Sequence, residues 1–386
     1  MISSLQIKNF RGIKSTHRVD LLPFHVLVGP NGSGKSTFLD ALEFVRACLR
    51  VGPRKAVEDR APEFRDLTFM RGGGLIEFDI DLDLSSMLPN GKGSDLHYRL
   101  AIAADERLGV RVFEETLERK SRPRPVRLLG KTTTGKDVYR REAGTYQDVF
   151  VFGADKLALS LTSPDETRYP TGNAVKSFLM EGLRYIQLNS PAMRDPAPAT
   201  RPTELELDGT NLARVVGRLA RSAAADDSEA LERWTSHLRY ALEDLESIGW
   251  AARQADNAEY VLLRYASGLE CPSWLLSDGT LRMLALTLPA FLPPAPRVYM
   301  VEEPENGVHP KALEIVMGAL AAIPNAQVFV ATHSPLVVQE AGLEPLLCFT
   351  RDANGVHIVR GAKHPAMKNW TGVPDLASIF ASRVLG

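Results

Sequence analysis

The sequence predicts an α/β fold carrying an antiparallel β section and a helical insertion, and three observations carry that reading. A short apolar run, Val26, Leu27 and Val28, ends in a glycine-rich loop and passes into Phe38, Leu42, Val45 and Leu49 at helical spacing. Two later runs, 297–303 and 326–332, have the near-continuous apolar text of strands buried on both faces. Between these, residues 75–84 alternate apolar and acidic side chains, as a half-buried antiparallel strand does.

The first observation also carries chemistry. Residues 29–36 fit G-x-x-x-x-G-K-[ST] without a mismatch. Such a loop turns a strand into a helix while aiming successive backbone N–H groups at a phosphate chain. Gly29, Pro30, Asn31, Gly32, Ser33 and Gly34 form the cradle, Lys35 supplies an ammonium, and Ser36 and Thr37 supply hydroxyls. The lysine suits the β- and γ-phosphates and the Ser36 hydroxyl suits Mg²⁺. The motif, with strand before and helix after, points to a nucleoside triphosphate.

Bulk composition narrows little else. The chain has 386 residues, 44% hydrophobic and 24% charged, which is ordinary for a globular protein and excludes wholesale disorder. A net charge of −1 gives no global signal for nucleic acid, so any such site must be a local patch. Cys48, Cys271 and Cys348 lie far apart and imply neither a disulfide framework nor a zinc site. With no leader-like opening and no long apolar run, the expectation is a soluble cytoplasmic protein with no membrane partner.

Taken in order, residues 2–10 alternate like a strand and meet Arg11-Gly12, with a second short strand near 16–21. Arg11 is open to two readings, an arginine reaching the nucleotide edge or a solvated turn residue. Residues 51–71 are polar and interrupted by proline. In the alternating strand, Asp79, Asp81 and Asp83 share one face, which favours a solvated polar face over a cation site. Residues 96–103 and 110–117 continue the meander. Residues 119–141 are the most basic stretch, with Arg119, Lys120, Arg122, Arg124, Arg127, Lys131, Lys136, Arg140 and Arg141 against Asp137. A hairpin tip is expected at 130–135. The segment is either a contact for double-stranded DNA or a solvated basic hairpin.

Residues 164–202, rich in proline, are expected to be irregular. Two amphipathic helices follow, marked by Leu212, Val216 and Leu219, then by Leu231, Trp234, Leu238, Leu242 and Leu245. Residues 250–265 return to strand character. Ser277 and Gly279 open an apolar helix as an anion-binding cap, a weak signal alone. Strand 297–303 ends in Glu302 and Glu303, carboxylates placed to bind Mg²⁺ and orient an attacking water. Strand 326–332 leads to His333, placed to touch the γ-phosphate. A hairpin over 346–359, turning at Asn354-Gly355, and a short terminal helix close the chain.

With these residues in hand, the chain resembles the ABC-type ATPases of the SMC/RecF superfamily, and more closely the ATPase module of the OLD family. The matching text is Ile-Lys-Asn-Phe-Arg-Gly at 7–12, the Walker A loop at 29–37 and Leu-Ser-Asp-Gly-Thr at 276–280. It continues with Val-Glu-Glu-Pro-Glu-Asn-Gly-Val-His-Pro at 301–310 and Thr-His-Ser-Pro at 332–335. The resemblance implies a P-loop NTPase of ABC/SMC-head type divided into residues 1–160, an inserted 161–250, and 251–386. It implies ATP and Mg²⁺ as cofactors, Glu302 at the magnesium position, Glu303 as the catalytic glutamate and His333 as the switch histidine beside Lys35. It further implies that Ser277 and Gly279 act in trans on a partner's γ-phosphate within a homodimer closed on ATP, with 305–309 as the D-loop across that interface. No Q-loop glutamine is identified after the first helix. Only a short stretch follows Ser334, too little for the Toprim nuclease domain of OLD proteins. The implied function is therefore an ATPase that controls DNA binding or a separately encoded effector, a nuclease, in anti-phage defence. The alternative is a RecF-like, ATP-gated DNA clamp.

Overall fold

The computed structural model describes residues 1–88, 94–105, 109–121, 123–131, 137–142, 147–150, 153–365 and 376. The chain opens with β1 (Ile2–Phe10), β2 (Ile13–Ser15), β3 (Val19–Asp20) and β4 (Phe24–Val28), then α1 (Lys35–Val51) and α2 (Pro53–Glu58). The meander follows as β5 (Ile76–Leu82), β6 (Leu96–Asp105), β7 (Gly109–Arg119), β8 (Val126–Lys131), β9 (Asp137–Arg140) and β10 (Gln147–Phe150). Next come α3 (Pro170–Ser177), a π turn (Phe178–Gly182), β11 (Leu183–Ile186), α4 (Ser190–Met193), α5 (Leu212–Arg221) and α6 (Ala225–Leu238). The last third holds β12 (Leu245–Ala252), β13 (Glu259–Tyr265), β14 (Glu270–Pro272) and α7 (Asp278–Thr287). It ends with β15 (Arg297–Glu302), α8 (Pro310–Ala321), β16 (Ala326–Ala331), α9 (Pro335–Ala341), β17 (Leu346–Asp352) and β18 (Gly355–Arg360).

Three sheets result. The meander joins β1, β2 and β3 in a nine-stranded antiparallel sheet, while the central sheet has the order β11-β15-β16-β4-β17-β18. All neighbours in the central sheet are parallel except the β17–β18 hairpin, which turns between Asp352 and Gly355 as expected. Strands β12, β13 and β14 form the third sheet.

Strand alternation explains the layering. In β4, Leu27 faces one core while Val26 and Val28 face another. Leu27 looks toward α1, and α1 fills the space between the two large sheets. Its Phe38 ring meets Phe329 and Phe349 of the central sheet, at 6.4 and 5.6 Å, and its Phe44 ring meets Phe10 and Phe78 of the meander, at 5.3 and 5.9 Å. Fully burying each phenyl ring stabilises by about 1.5–3 kcal/mol. The opposite face of the central sheet belongs to a second core that holds Val216, Trp234, Leu284, Val316 and Val337 of α5 to α9, with α5 and α6 packed on the third sheet. Phosphate loop, carboxylates and histidine thereby share one edge of one sheet.

Two expectations are corrected. The stretch 164–202 is not irregular throughout: it contains α3 and β11, and β11 forms the outer parallel strand beside β15. Proline and short strand length hid it, because a four-residue strand shows too little periodicity to be read. The shared acidic face of β5 is solvated only at Asp83. Asp79 and Asp81 are 5% and 7% exposed beneath basic partners. Cross-strand pairing places Arg99 opposite Asp79 and His97 opposite Asp81, and opposite charges so placed attract. Arg99 reaches Asp79 at 3.0 Å, while Asp81 takes His97 and Lys120 at 2.8 Å, Ser4 at 2.6 Å and Arg18. Burial alone would raise the Asp81 pKa, but hydrogen bonds from His97, Lys120 and Ser4 hold it well below the usual carboxylate range. The same contacts, from Asp79 first, push His97 up to about 9. The expected hairpin tip at 130–135 and the terminal helix fall mainly outside the described residues, as do Arg122 and Lys136.

Candidate functional site

The phosphate loop is shaped by two close approaches. Gly29 has φ +149°, and a Cβ there would lie 2.2 Å from the Phe349 carbonyl oxygen. Gly34 has φ +105° and caps α1, where a Cβ would lie 2.7 Å from Val356. Neither position accepts a side chain without moving its neighbour. Lys35 curls over the loop, donating to the carbonyls of Gly29 at 2.7 Å and Pro30 at 3.1 Å. Burial pushes its pKa down to about 8, with Glu302 and Glu303 pulling the other way. Ser33 has a buried hydroxyl with no partner among the described residues, while Pro30, Asn31, Gly32 and Ser36 are exposed and Thr37 is half-buried. The Lys35 ammonium is thus held by two carbonyls of its own loop.

The carboxylates enter from the neighbouring strands. Glu302 lies level with Ala331 of β16, which lies level with Leu27 of β4. One oxygen of Glu302 is buried without a partner among the described residues, and the Glu302 carboxylate acts electrostatically on the Tyr185 hydroxyl. Burial and that negative charge raise the tyrosine pKa strongly, and Gln187 lines the same cavity. Glu303 has φ +48°, a left-handed conformation uncommon for a long side chain. It is held there by its N–H to the Ala331 carbonyl at 2.8 Å and by Asn306, which donates to its carboxylate at 2.5 Å. Glu305 accepts from the Thr332 hydroxyl at 2.6 Å and the His333 N–H at 3.2 Å, tying the expected D-loop to the strand end that bears the histidine. His333 is exposed, and its pKa is lowered by partial burial and then by the Lys35 charge, with the three glutamates opposing. Lys35, Glu302, Glu303, Glu305 and His333 thus share one electrostatic neighbourhood.

Magnesium fits this donor set. The ion takes hard oxygen ligands from one or two carboxylates and completes its shell with phosphates and water. The orphaned Glu302 oxygen and the exposed Ser36 hydroxyl are such donors. Among the described residues there is no group of three or more His, Cys, Asp or Glu that could hold a metal ion by protein alone.

Ser277 caps α7, accepting the Thr280 N–H at 3.1 Å. Gly279 lies so near the D-loop that a Cβ would stand 2.2 Å from the Gly307 carbonyl oxygen. Two expected motifs therefore touch within one chain. Asp278 pairs with Arg194 at 2.6 Å. Arg282, one turn along α7, donates to the Glu303 carbonyl at 3.3 Å, and burial lowers its pKa. Arg11 adopts φ +49° and pairs with Asp40 of α1 at 3.0 Å. It is partly exposed and held by this ion pair.

Sequence reasoning missed Tyr185, Gln187 and Arg282, which line a cavity of about 290 Å³ with Glu302, Glu303 and Asn306 of the expected D-loop. Gln187 follows the carboxyl end of β11 and was hidden with that strand; a search for short apolar runs ending in glutamine would have found it.

Four basic residues of the stretch are held in ion pairs. Arg119 pairs with Glu142, Lys120 with Asp81, Arg127 with Glu118 and Arg141 with Asp148, at 2.5–2.9 Å. Lys131 is buried and donates to the Gly153 carbonyl at 3.1 Å.

Comparison with known proteins agrees with this geometry. A family model described as "AAA domain, putative AbiEii toxin, Type IV TA system" matches residues 24–339. A chromosome partition protein Smc from Synechocystis is 34% identical over 83 residues, which is 21% of this chain and 7% of that protein. The matched part is thus a small fraction of that relative. Among solved structures, an Smc head bound to the C-winged helix domain of ScpA superposes with TM-score 0.53 and 14% identity, covering 93% of this chain and 96% of that one. An Smc head with an extended coiled coil, bound to the C-terminal domain of ScpA derived from Pyrococcus furiosus, gives TM-score 0.54 and 14% identity over 93% and 95%. At that identity the likeness establishes the P-loop ATPase fold of SMC heads. The chain belongs to the family described as AAA domain, putative AbiEii toxin, Type IV TA system, and it shares the fold of SMC heads.

Proposed function

We propose that this chain is an ATPase that closes as a homodimer around ATP and, in doing so, controls a separately encoded effector, a nuclease, in anti-phage defence. The observation that carries the reading is the convergence of Lys35, Glu302, Glu303 and His333 at one sheet edge. In this reading Lys35 leaves the Gly29 and Pro30 carbonyls for the β- and γ-phosphates, and the N–H groups of residues 29–37 hold the chain. Mg²⁺, when bound through Ser36 and Glu302, neutralises charge on the β- and γ-oxygens. Glu303 accepts a proton-bearing edge of the attacking water, His333 contacts the γ-phosphate, and Gln187 senses that end of the site. Ser277 and Gly279 complete the partner's site in trans, with residues 305–309 between the protomers.

The defence role rests on the toxin–antitoxin description of the family and on the OLD-like text at 302–307. Control of an effector is favoured over a RecF-like DNA clamp because Arg119, Lys120, Arg127 and Arg141 of the basic stretch are engaged in internal ion pairs. Residues 1–160 and 251–386 are read as the two halves of the head. The insertion between them is read as beginning after β11 rather than at residue 161. No described helix is long and apolar enough to cross a membrane.

The test compares Lys35→Ala with Glu303→Gln for ATP affinity, turnover and mass in solution. Lys35→Ala should lose most nucleotide binding, because a charge-assisted contact is removed. Glu303→Gln should keep ATP, lose turnover and accumulate as a dimer. Equal loss of affinity in both variants would refute the assigned roles. Cleavage of DNA by the purified chain alone would refute the division of labour.

A further inference from the structure

A second cavity lies at the opposite end of the two strands that lead to Gln187 and Glu302. It measures about 610 Å³, within the range of small-molecule sites. Four arginines line it, Arg46 and Arg50 from the end of α1, Arg184 from the start of β11 and Arg297 from the start of β15, against Glu181 and Glu204. The remaining wall is the π turn, and such turns recur at functional sites.

The charge here is unbalanced. Glu204 is shared by two arginines, at 2.5 Å from Arg297 and 3.7 Å from Arg184. Arg46 is held by Glu43 at 2.6 Å and by the Met180 carbonyl at 3.0 Å, which fixes its direction. Arg50 is exposed and has no partner among the described residues. Burial lowers the Arg184 pKa, and the charges of Arg297 and Arg46 act in the same direction against Glu204. Guanidinium groups gathered in this way match the oxygens of a phosphate, which they can hold two at a time.

We propose that this arginine-lined cavity binds a phosphate-bearing small molecule at a site separate from the phosphate loop. Its distance from the loop follows from the elements that join them. From Lys35 to Arg46 along α1 is about 17 Å at 1.5 Å per residue. From Arg297 to Glu302 along β15 is likewise about 17 Å at 3.3 Å per residue.

The experiment uses the full chain carrying Lys35→Ala, so that the phosphate loop is disabled, and titrates it calorimetrically with inorganic pyrophosphate and, separately, with ADP. Arg50→Glu is then added; the position is exposed, and circular dichroism checks the fold. One equivalent of pyrophosphate should bind and weaken at least about tenfold with Arg50→Glu, as loss of a charge-assisted contact requires. Binding of ADP but not pyrophosphate, with the same loss in Arg50→Glu, would support the site and identify a nucleotide as the source of the phosphate. No binding of either at millimolar concentration, or an affinity that Arg50→Glu leaves within about twofold, would overturn the proposal. Because Lys35 is already removed, these outcomes are independent of whether the phosphate loop hydrolyses ATP.

Discussion

Replacing Gly279 with alanine should damage this protein, and replacing Gly318 with alanine should not. At Gly279 the added methyl carbon would stand 2.2 Å from the Gly307 carbonyl oxygen and 3.2 Å from its carbon. Both are backbone atoms, so no rotamer change relieves the clash, and the D-loop must retreat by about 1 Å to restore an ordinary contact. Overpacking of this kind costs about 1–3 kcal/mol. The retreat would also pull on Glu305, which holds Thr332 and the His333 N–H. At Gly318, inside α8, nothing lies within 4 Å of the added carbon. The gain in helix propensity there is about 0.5–1 kcal/mol. Thermal and urea unfolding of the two variants should therefore shift in opposite directions. ATP affinity should be unchanged in both, since the phosphate loop is untouched, and turnover should fall in Gly279→Ala alone. A Gly279→Ala protein as stable and active as wild type would refute the close packing of signature and D-loop.

The remaining predictions concern other parts of the molecule. Gln187→Ala should slow ATP turnover by about tenfold or more with nucleotide affinity kept, an effect of the size produced by removing one site contact; unchanged turnover would remove Gln187 from the site. Phe44→Ala should cost about 3–5 kcal/mol in urea unfolding, because the ring is fully buried between α1 and the meander; a loss under 1 kcal/mol would contradict that packing. Glu115 is fully buried, and burial lifts its pKa from 4.5 to about 7 against hydrogen bonds from the Leu159 N–H, Tyr98 and the Ala158 N–H. The folded chain thus holds a proton that the unfolded chain releases. Stability should decline as pH rises from about 4.5 to about 7, by up to about 3 kcal/mol. Glu115→Gln should flatten that slope, and a slope unchanged in the variant would assign it elsewhere.

The central sheet was legible where the chain repeats one rule: apolar strand, turn, helix. Strands β4, β15 and β16 end at the residues expected to matter, because a fully buried strand has an unbroken apolar text and its polar successor stands out. Local text failed where pairing decides. β11 is short and lies in proline-rich sequence, and only its partner β15 makes it a strand, so Gln187 remained hidden with it. The acidic face of β5 looked wet because alternation alone does not show what lies opposite; Arg99 and His97 on β6 close it. The basic stretch looked available for a phosphate backbone for the same reason, since its acids, Glu118, Glu142 and Asp148, and the distant Asp81 are brought in by the fold.

The left-handed backbone of Glu303 sets stability and chemistry against each other at a single position. Conformations of this kind cost on the order of 1 kcal/mol for a non-glycine residue, whereas glycine or asparagine occupies them readily. Directed evolution of this chain for heat resistance alone would therefore be rewarded for replacing Glu303, and under the proposed role of this residue its winners would be better folded and inert. A screen that retains turnover as a second criterion would keep the glutamate and be forced to find its gains elsewhere, at sites such as Gly318.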